Sequence, residues 1–470
     1  MTDTTWETVV GLEVHVELAT KTKLFSPAPN RFGDEPNTNV SPVCLGLPGV
    51  LPVLNRKAVE LAIKLGLALE CTVQPSVFAR KNYFYPDMTK NFQTSQYDRP
   101  ICVDGRLELP DGTMVRIDRA HLEEDAGKST HVGGDAGRVT GADYSKIDYN
   151  RAGVPLLEIV SHPDMRSAEQ ARAYAEELRA ILVATGTSDA RLEEGSMRVD
   201  ANVSVRPAGS TELRTRCEIK NVNSFRSLGR AIEYEARRHI ALYERGEAPV
   251  QETRHWNEDD GRTHTLRTKE DSHDYRYFDE PDLVPLVPDA ELVERIRATL
   301  PALPAQRRHA VIDATAATGE HAAVIVGRDL DDLVVQSAGL EADRVRLVNH
   351  AVNNLSEGAG LLTAESFASL VSMEVDGQLT ATQAKTVLAD LVQAGGDPAQ
   401  VAAAHGFEAM AVDELETLVD EAIAADPEAW QKFCAGEDRV QGAFVGYIMK
   451  ATRGQADGKA VSALLRAKRG

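Results

Sequence analysis

Ten residues near the start, Val9-Val-Gly-Leu-Glu-Val-His-Val-Glu-Leu18, alternate in character with a period of two. Only an extended strand sends successive side chains to opposite faces, so the run dictates a β-strand. Its even positions, Val10, Leu12, Val14, Val16 and Leu18, are those that seek a core, which leaves Glu13, His15 and Glu17 together on the other face. An acidic face that carries an imidazole is either solvated, as one side of an antiparallel sheet often is, or the wall of a polar site.

The pattern recurs. In Met197–Arg206, Met197, Val199, Ala201, Val203 and Val205 form one face and Arg198, Asp200, Asn202, Ser204 and Arg206 the other. After the turn-like Pro207-Ala-Gly-Ser210, the run Leu213–Lys220 alternates again and places Arg214, Arg216, Glu218 and Lys220 together. The two segments predict a hairpin with a charged face. His121-Leu-Glu-Glu-Asp-Ala-Gly-Lys128 adds adjacent acids followed by Gly and Lys. Alone such a trio suits a solvated turn, but beside the charged strands it becomes a ligand donor. Periodicity does not choose between Glu123 and Glu124.

Mg²⁺ takes oxygen ligands and keeps several waters, so carboxylates converging from different strands can hold it beside a triphosphate. Neighbouring Arg and Lys neutralise phosphoryl oxygens during transfer. Gly127-Lys128-Ser129 imitates the end of a phosphate-binding loop, but Leu122 stands where that motif needs Gly. A dinucleotide fingerprint, a His-Glu-x-x-His pair and a nucleophile elbow are also missing, so a nucleotide would bind on the sheet itself. Two stretches, Arg80–Phe92 and Ser272–Pro281, mix basic and aromatic residues, as surfaces that grip a nucleic-acid end do, and as aromatic loops packed on a sheet also do.

A chain of 470 residues exceeds one hydrophobic core. Up to about Pro288 it is a mixed α+β domain; from Ala290 onward Ala-, Leu- and Val-rich segments at helical spacing take over, with a second break at Gly395–Pro398. No stretch reaches the ~20 apolar residues of a membrane span, and the start of the sequence carries no secretion signal. Five scattered cysteines, none in a Cys-x-x-Cys pair, suit a reducing cytoplasm. The net charge of −20 argues against nucleic acid, except that Lys450–Arg469 forms a basic tail.

Val9–Leu18, Arg80–Asp87 (RKNYFYPD), His121–Ser129 (HLEEDAGKS), Glu193–Arg206 (EEGSMRVDANVSVR), Glu218–Ser224 (EIKNVNS) and Asp274–Phe278 (DYRYF) together resemble the GatB/GatE family of aspartyl/glutamyl-tRNA amidotransferase B subunits. Phe444–Ala456 is similar to the tail this family shares with YqeY-like proteins. The resemblance implies a glutamine synthetase-like cradle with a mixed or antiparallel sheet (1–290), an all-α helical domain (291–405) and a small all-α, YqeY-like tail that binds tRNA (406–470). It implies a cytoplasmic heterotrimer with a GatA-type amidase and a GatC-type small subunit. In it, ATP and Mg²⁺ serve to phosphorylate the side-chain carboxylate of Glu-tRNA(Gln) or Asp-tRNA(Asn), which ammonia then converts to the amide. Carried over by position, the metal ligands are Glu13, His15, Glu124, Asp200 and Glu218. Glu13, His15, Glu124 and Lys220 are expected to be catalytic, and Arg198, Asn202 and Lys128 to contact the nucleotide. The preference for Glu124 over Glu123 rests on the resemblance. Many relatives carry a four-cysteine zinc site in the segment equivalent to Phe25–Cys44; here Ser26, Pro27, Ala28 and Ser41 accompany a single Cys44, so structural Zn²⁺ is expected to be absent.

Overall fold

The computed structural model describes residues 4–133, 141–268, 275–407, 412–452, 456 and 458–469; Ser272–Asp274, Arg453–Gln455 and Asp457, which belong to segments singled out above, lie outside them. The chain divides into two units, residues 1–305 and 306–470.

The first unit is built on a 12-stranded sheet. Its main path runs β13 (Arg262–Thr268), β12 (Glu252–Asn257), β11 (Cys217–Val222), β10 (Met197–Pro207), β1 (Trp6–Glu17), β9 (Pro155–Ser161), β6 (Met114–Glu124), β4 (Phe92–Ser95), β3 (Ala79–Asn82) and β14 (Phe278–Asp279), with β2 (Thr72–Val73) and β5 (Cys102–Glu108) branching from β6. β7 (Lys128–Val132) and β8 (Tyr144–Asp148) pair separately. Neighbours are antiparallel except β11 and β12, which are parallel and joined through the helix α3 (Phe225–Glu244). A parallel pair needs such a crossover, and a short turn could not supply it. The sheet is therefore mixed.

The alternation in β1 has the consequence expected of it. Val10, Leu12, Val14, Val16 and Leu18 are at most 1% exposed and join Met197, Val199, Ala201, Val203 and Val205 of β10 in one core. Residues of α1 (Arg56–Ala68), α2 (Ala168–Ala184) and α3 complete it. Each such aliphatic side chain contributes about 1.5–3 kcal/mol on burial, so a register slip by one residue is excluded. The opposite face of the central strands carries the polar residues.

Two features depart from the expected pattern. The second arm of the hairpin begins at Cys217 and not at Leu213, which leaves Arg214 off the charged face. Its guanidinium instead lies over the rings of Trp6 and Tyr243, at 5.4 and 4.8 Å. The first unit also extends beyond 290, because Leu292 and Val293 of α4 (Ala290–Arg297), with Leu300 and Leu303, pack against the sheet core.

Among its described residues the second unit contains helices and no strand. Helices from α5 (Pro304–Thr315) to α11 (Pro398–Ala404) enclose a core that includes Val311, Ile325, Leu347, Phe367 and Leu388. A separate core, with Val419, Phe433, Phe444, Ile448 and Leu465, is enclosed by α12 (Val412–Ala425), α13 (Pro427–Cys434), α14 (Gln441–Ala451) and α15 (Gly458–Arg469). Among the described residues no helix is long and apolar enough to cross a membrane.

Candidate functional site

Three antiparallel strands in the middle of the sheet put three chemically useful side chains in one row: His15 of β1 pairs with Glu158 of β9, which pairs with His121 of β6. On the other side of β1, His15 pairs with Arg198 of β10. Side chains in such a cross-strand row share a face and lie within reach of each other. His15 Nε2 is 3.6 Å from Glu158 Oε2 and 3.6 Å from Glu123 Oε1. His121 Nε2 lies 3.3 Å from Glu158 Oε2. His15, Glu123 and Glu158 each offer a donor atom within 4.8 Å of the others, the spacing of a cation site.

Electrostatics bind this group together. Burial opposes a charge on His15, but the neighbouring Glu158 and Glu123 carboxylates outweigh that and push its pKa up to about 9. Burial would raise Glu158, yet the two imidazoles beside it hold it far below the usual carboxylate range. Glu13 is pushed up, first by burial and then by the charges of Glu158 and Glu218.

A second group lies alongside. Lys220 Nζ bridges the carboxylates of Asp200 and Glu218, at 2.5 and 2.9 Å. These two anions overcome burial and raise the lysine pKa, so it stays an ammonium. Glu218 also accepts from Thr253 Oγ1 (2.8 Å), and Glu13 accepts from Asn202 Nδ2 (2.8 Å). Arg198 donates to Asp125 at 2.8 Å. The approach of Lys220 to Asp200 has a local cause. The β10–β11 register shifts between Val199 and Ala201, so Lys220 and Asn221 together face the single residue Asp200, with Asn221 at φ +64°. This is a β-bulge, a device that re-aims side chains beside sites.

The two groups border one cavity of about 480 Å³, within the usual ~300–1,000 Å³ of ligand sites. Its lining includes His15, Glu123, Asp125, Arg198, Asp200, Lys220 and Asn221 on one side, and Lys81, Tyr83, Met88 and Gln93 on the other. Asn223 also lines it, just before the Ser224 cap of α3, whose N-terminal N–H groups favour anions.

Of the residues singled out from the sequence, Glu13, His15, Arg198, Asp200, Asn202, Glu218 and Lys220 come together on this face. Glu124 does not. A register shift in β6 between Ile117 and Arg119 inserts one extra residue, so Val115, Ile117, Ala120 and Leu122 all face the core. Glu123 is thereby delivered to the cavity, while Glu124 turns to the other side, where Lys90 and the Thr94 N–H bind it. Lys128 starts β7 and borders a different hollow with Glu17, Arg31 and Arg151. Glu158 and His121 were not singled out. The signal for Glu158 was present, since a lone carboxylate inside Pro155–Ser161, otherwise an apolar strand, is costly unless it has partners.

The Phe25–Cys44 segment folds so that Ser26 Oγ and Ser41 Oγ stand 3.4 and 3.3 Å from Cys44 Sγ, with the buried Lys23 nearby. One thiol and two hydroxyls beside an ammonium are not a zinc cage, which takes thiolate and imidazole ligands. The carboxylates of the cavity do suit a hard divalent cation that retains water.

A sequence profile of the GatB/GatE catalytic domain matches residues 8–294, and one of the GatB domain matches residues 342–468. The chain belongs to the GatB/GatE family. It is 48% identical to proteins named as the B subunit of aspartyl/glutamyl-tRNA(Asn/Gln) amidotransferase from Paenarthrobacter aurescens (99% of this chain, 96% of the relative) and Corynebacterium diphtheriae (98% and 96%). A protein of the same name from Mycobacterium sp. strain KMS is also 48% identical, over 98% of this chain and 95% of the relative. The GatB/GatE catalytic domain match covers the strands of the sheet that forms the cavity, β1 from Thr8 onward.

Proposed function

We propose that this chain is the phosphorylating B subunit of a glutamine-hydrolysing, tRNA-dependent amidotransferase. The reaction is ATP- and Mg²⁺-dependent phosphorylation of the side-chain carboxylate of Glu-tRNA(Gln) or Asp-tRNA(Asn). Ammonia from a GatA-type amidase, held in the heterotrimer by a GatC-type subunit, then displaces phosphate. The observation that carries this reading is that His15 and Glu123, which form a cation-suited group with Glu158, line one cavity with Lys220 and Arg198.

A carboxylate resists attack by ammonia because its leaving group would be oxide. When a carboxylate oxygen attacks the γ-phosphorus, ADP leaves and an acyl phosphate forms; ammonia then attacks the carbonyl carbon and phosphate leaves. His15, Glu123 and Glu158, with Glu13 adjacent, would hold Mg²⁺, and the ion when bound would supply positive charge to the phosphate groups. Lys220, fixed as an ammonium by Asp200 and Glu218, and Arg198 supply further positive charge where phosphoryl oxygens gather. No covalent nucleophile is required, since positioning and charge neutralisation account for the rate.

The sheet unit serves as the glutamine synthetase-like cradle. The two helical cores correspond to a middle domain and a YqeY-like tail that binds tRNA, and exposed Lys450 and Arg466 on α14 and α15 support that role. The test is the heterotrimer with ATP, glutamine and each mischarged tRNA. One ADP should appear per amide formed. Amide formation without ATP, or from free glutamate in place of the tRNA, would sink the proposal.

A further inference from the structure

His121 belongs to the same cross-strand row as His15 but stands at its closed end. The side chain of His15 is 21% exposed, those of Glu158 and Glu123 are 13% and 6%, and that of His121 is 1%. Neither His121 nor Glu158 lines the cavity, and His121 is outside the donor group of His15, Glu123 and Glu158. It is shut off from any ligand in the cavity.

Burying an imidazole is costly unless its nitrogens find partners. Among the described residues neither ring nitrogen of His121 has a hydrogen-bond partner. Nε2 lies 3.3 Å from Glu158 Oε2 and 3.9 Å from Glu123 Oε2, the first just beyond the ~3.2 Å of a well-formed N–H···O bond. The charge that compensates this nitrogen is therefore on the two carboxylates of the cation group.

The four side chains close on each other. His15 Nε2 approaches Oε2 of Glu158 and Oε1 of Glu123, and His121 Nε2 approaches Oε2 of both. Each carboxylate is thus held between two imidazoles, one beside the cavity and one behind it. The last torsion of a glutamate is broad, so the chain alone does not set where its oxygens lie. The backbone beneath is anchored as well: Leu122 N–H donates to Gln96 Oε1 (2.9 Å), and Gln96 N–H donates to Leu122 O (3.1 Å), between His121 and Glu123.

We infer that His121 is a positioning residue of the cation group, which sets from behind the orientation in which Glu158 and Glu123 present their oxygens to the ion. This rests on the cation role proposed above. Outer partners that orient the ligands of a metal contribute about 10–100-fold to its affinity, without touching it.

The experiment uses the heterotrimer with Mn²⁺ as the probe ion, its free form read by electron paramagnetic resonance. Glu158→Gln identifies which bound ion belongs to this group. His121→Leu, apolar and similar in bulk, should raise the Mn²⁺ Kd of that site about 10–100-fold. His121→Asn, whose amide is too short to reach Glu158, should do the same and carries the test if the Leu variant fails to fold. His121→Gln places an amide N–H near the position of Nε2 and should stay near wild type. Thermal unfolding is followed beside binding, because a merely structural role would lower Tm in the Leu and Asn variants and leave Kd where it was. An unchanged Kd in both, or a Gln variant as weak as the Leu variant, would overturn the inference while the ion still binds to wild type. A wild-type protein that holds no Mn²⁺ ion sensitive to Glu158→Gln would instead overturn the cation role itself, and the inference with it.

Discussion

Glu123 and Glu124 are adjacent, identical in side chain and equally buried, yet their surroundings assign them opposite duties. Glu123 lies with His15 on the cavity side, and Glu124 is locked to Lys90 on the other. Glu123→Gln should therefore raise the Mg²⁺ concentration for half-maximal phosphorylation about 10–100-fold with little change in melting temperature, consistent with the loss of one donor at a metal site. Glu124→Gln should do the reverse: it leaves Lys90 partly buried without its counter-charge and costs about 3 kcal/mol in stability, read by denaturant unfolding. A Mg²⁺ titration of both variants decides between them. At this scale the sequence was most informative where a strand ran without interruption. Glu13, His15, Asp200 and Asn202 could be placed on one face by counting alone. Glu158 could not be assigned because no count shows which apolar strand lies beside β1, and that adjacency is what brings it to His15.

Irregularities in the elements shape the site as much as their regular parts. The extra residue in β6 reverses the parity of everything after Asp118, which is why an alternating pattern could not choose between the two glutamates. The bulge between β10 and β11 aims Lys220 at Asp200 and places Asn221 at φ +64°, where a β-branched side chain is strained. Asn221→Gly should be tolerated, whereas Asn221→Val should cost about 1–2 kcal/mol and lower the rate of phosphorylation by displacing Lys220. Single-turnover kinetics beside thermal unfolding would separate the two effects. Neither bulge carries a composition signal of its own, so neither was legible before the strands were paired.

Helix α3 holds these strands from behind. Glu235, buried in the helix, accepts from Thr263 Oγ1 of β13 (2.7 Å) and pairs with His239 (3.0 Å), Arg238 and Arg254 of β12. Burial alone would raise its pKa, but His239 and Arg238 bring it down from 4.5 to about 2. Because the native value lies below the unfolded one, this carboxylate stabilises the fold fully above pH 4.5, and the contribution fades as pH falls towards 2. Glu235→Gln should accordingly lose most stability at neutral pH, and its unfolding curve should converge on that of wild type near pH 2.

For the whole molecule, the change from alternating to helical texture near residue 290 falls inside the first unit, whose last turns before 305 still pack on the sheet. The basic tail is smaller than its composition suggests, since Lys468 pairs with Asp420 (2.7 Å) and Arg469 with Asp438 (2.6 Å). Lys450 and Arg466 are the exposed cations that carry the prediction. Replacing both with Gln should weaken tRNA binding and reduce the salt dependence of log K by about one per charge removed, with KM for ATP unchanged. Equal salt slopes for the variant and wild type would show that the tail does not meet phosphate.

The row Arg198, His15, Glu158 and His121 draws on four strands from distant parts of the chain. Each strand contributes through parity alone, since one step along it exchanges the cavity for the core. A single-residue insertion in β9 upstream of Glu158 would turn this carboxylate into the core, where Leu157 and Ile159 now lie, and leave His15 facing an aliphatic side chain. The sheet therefore tolerates changes of length in its connections but not within its central strands, where the count of residues is itself part of the chemistry.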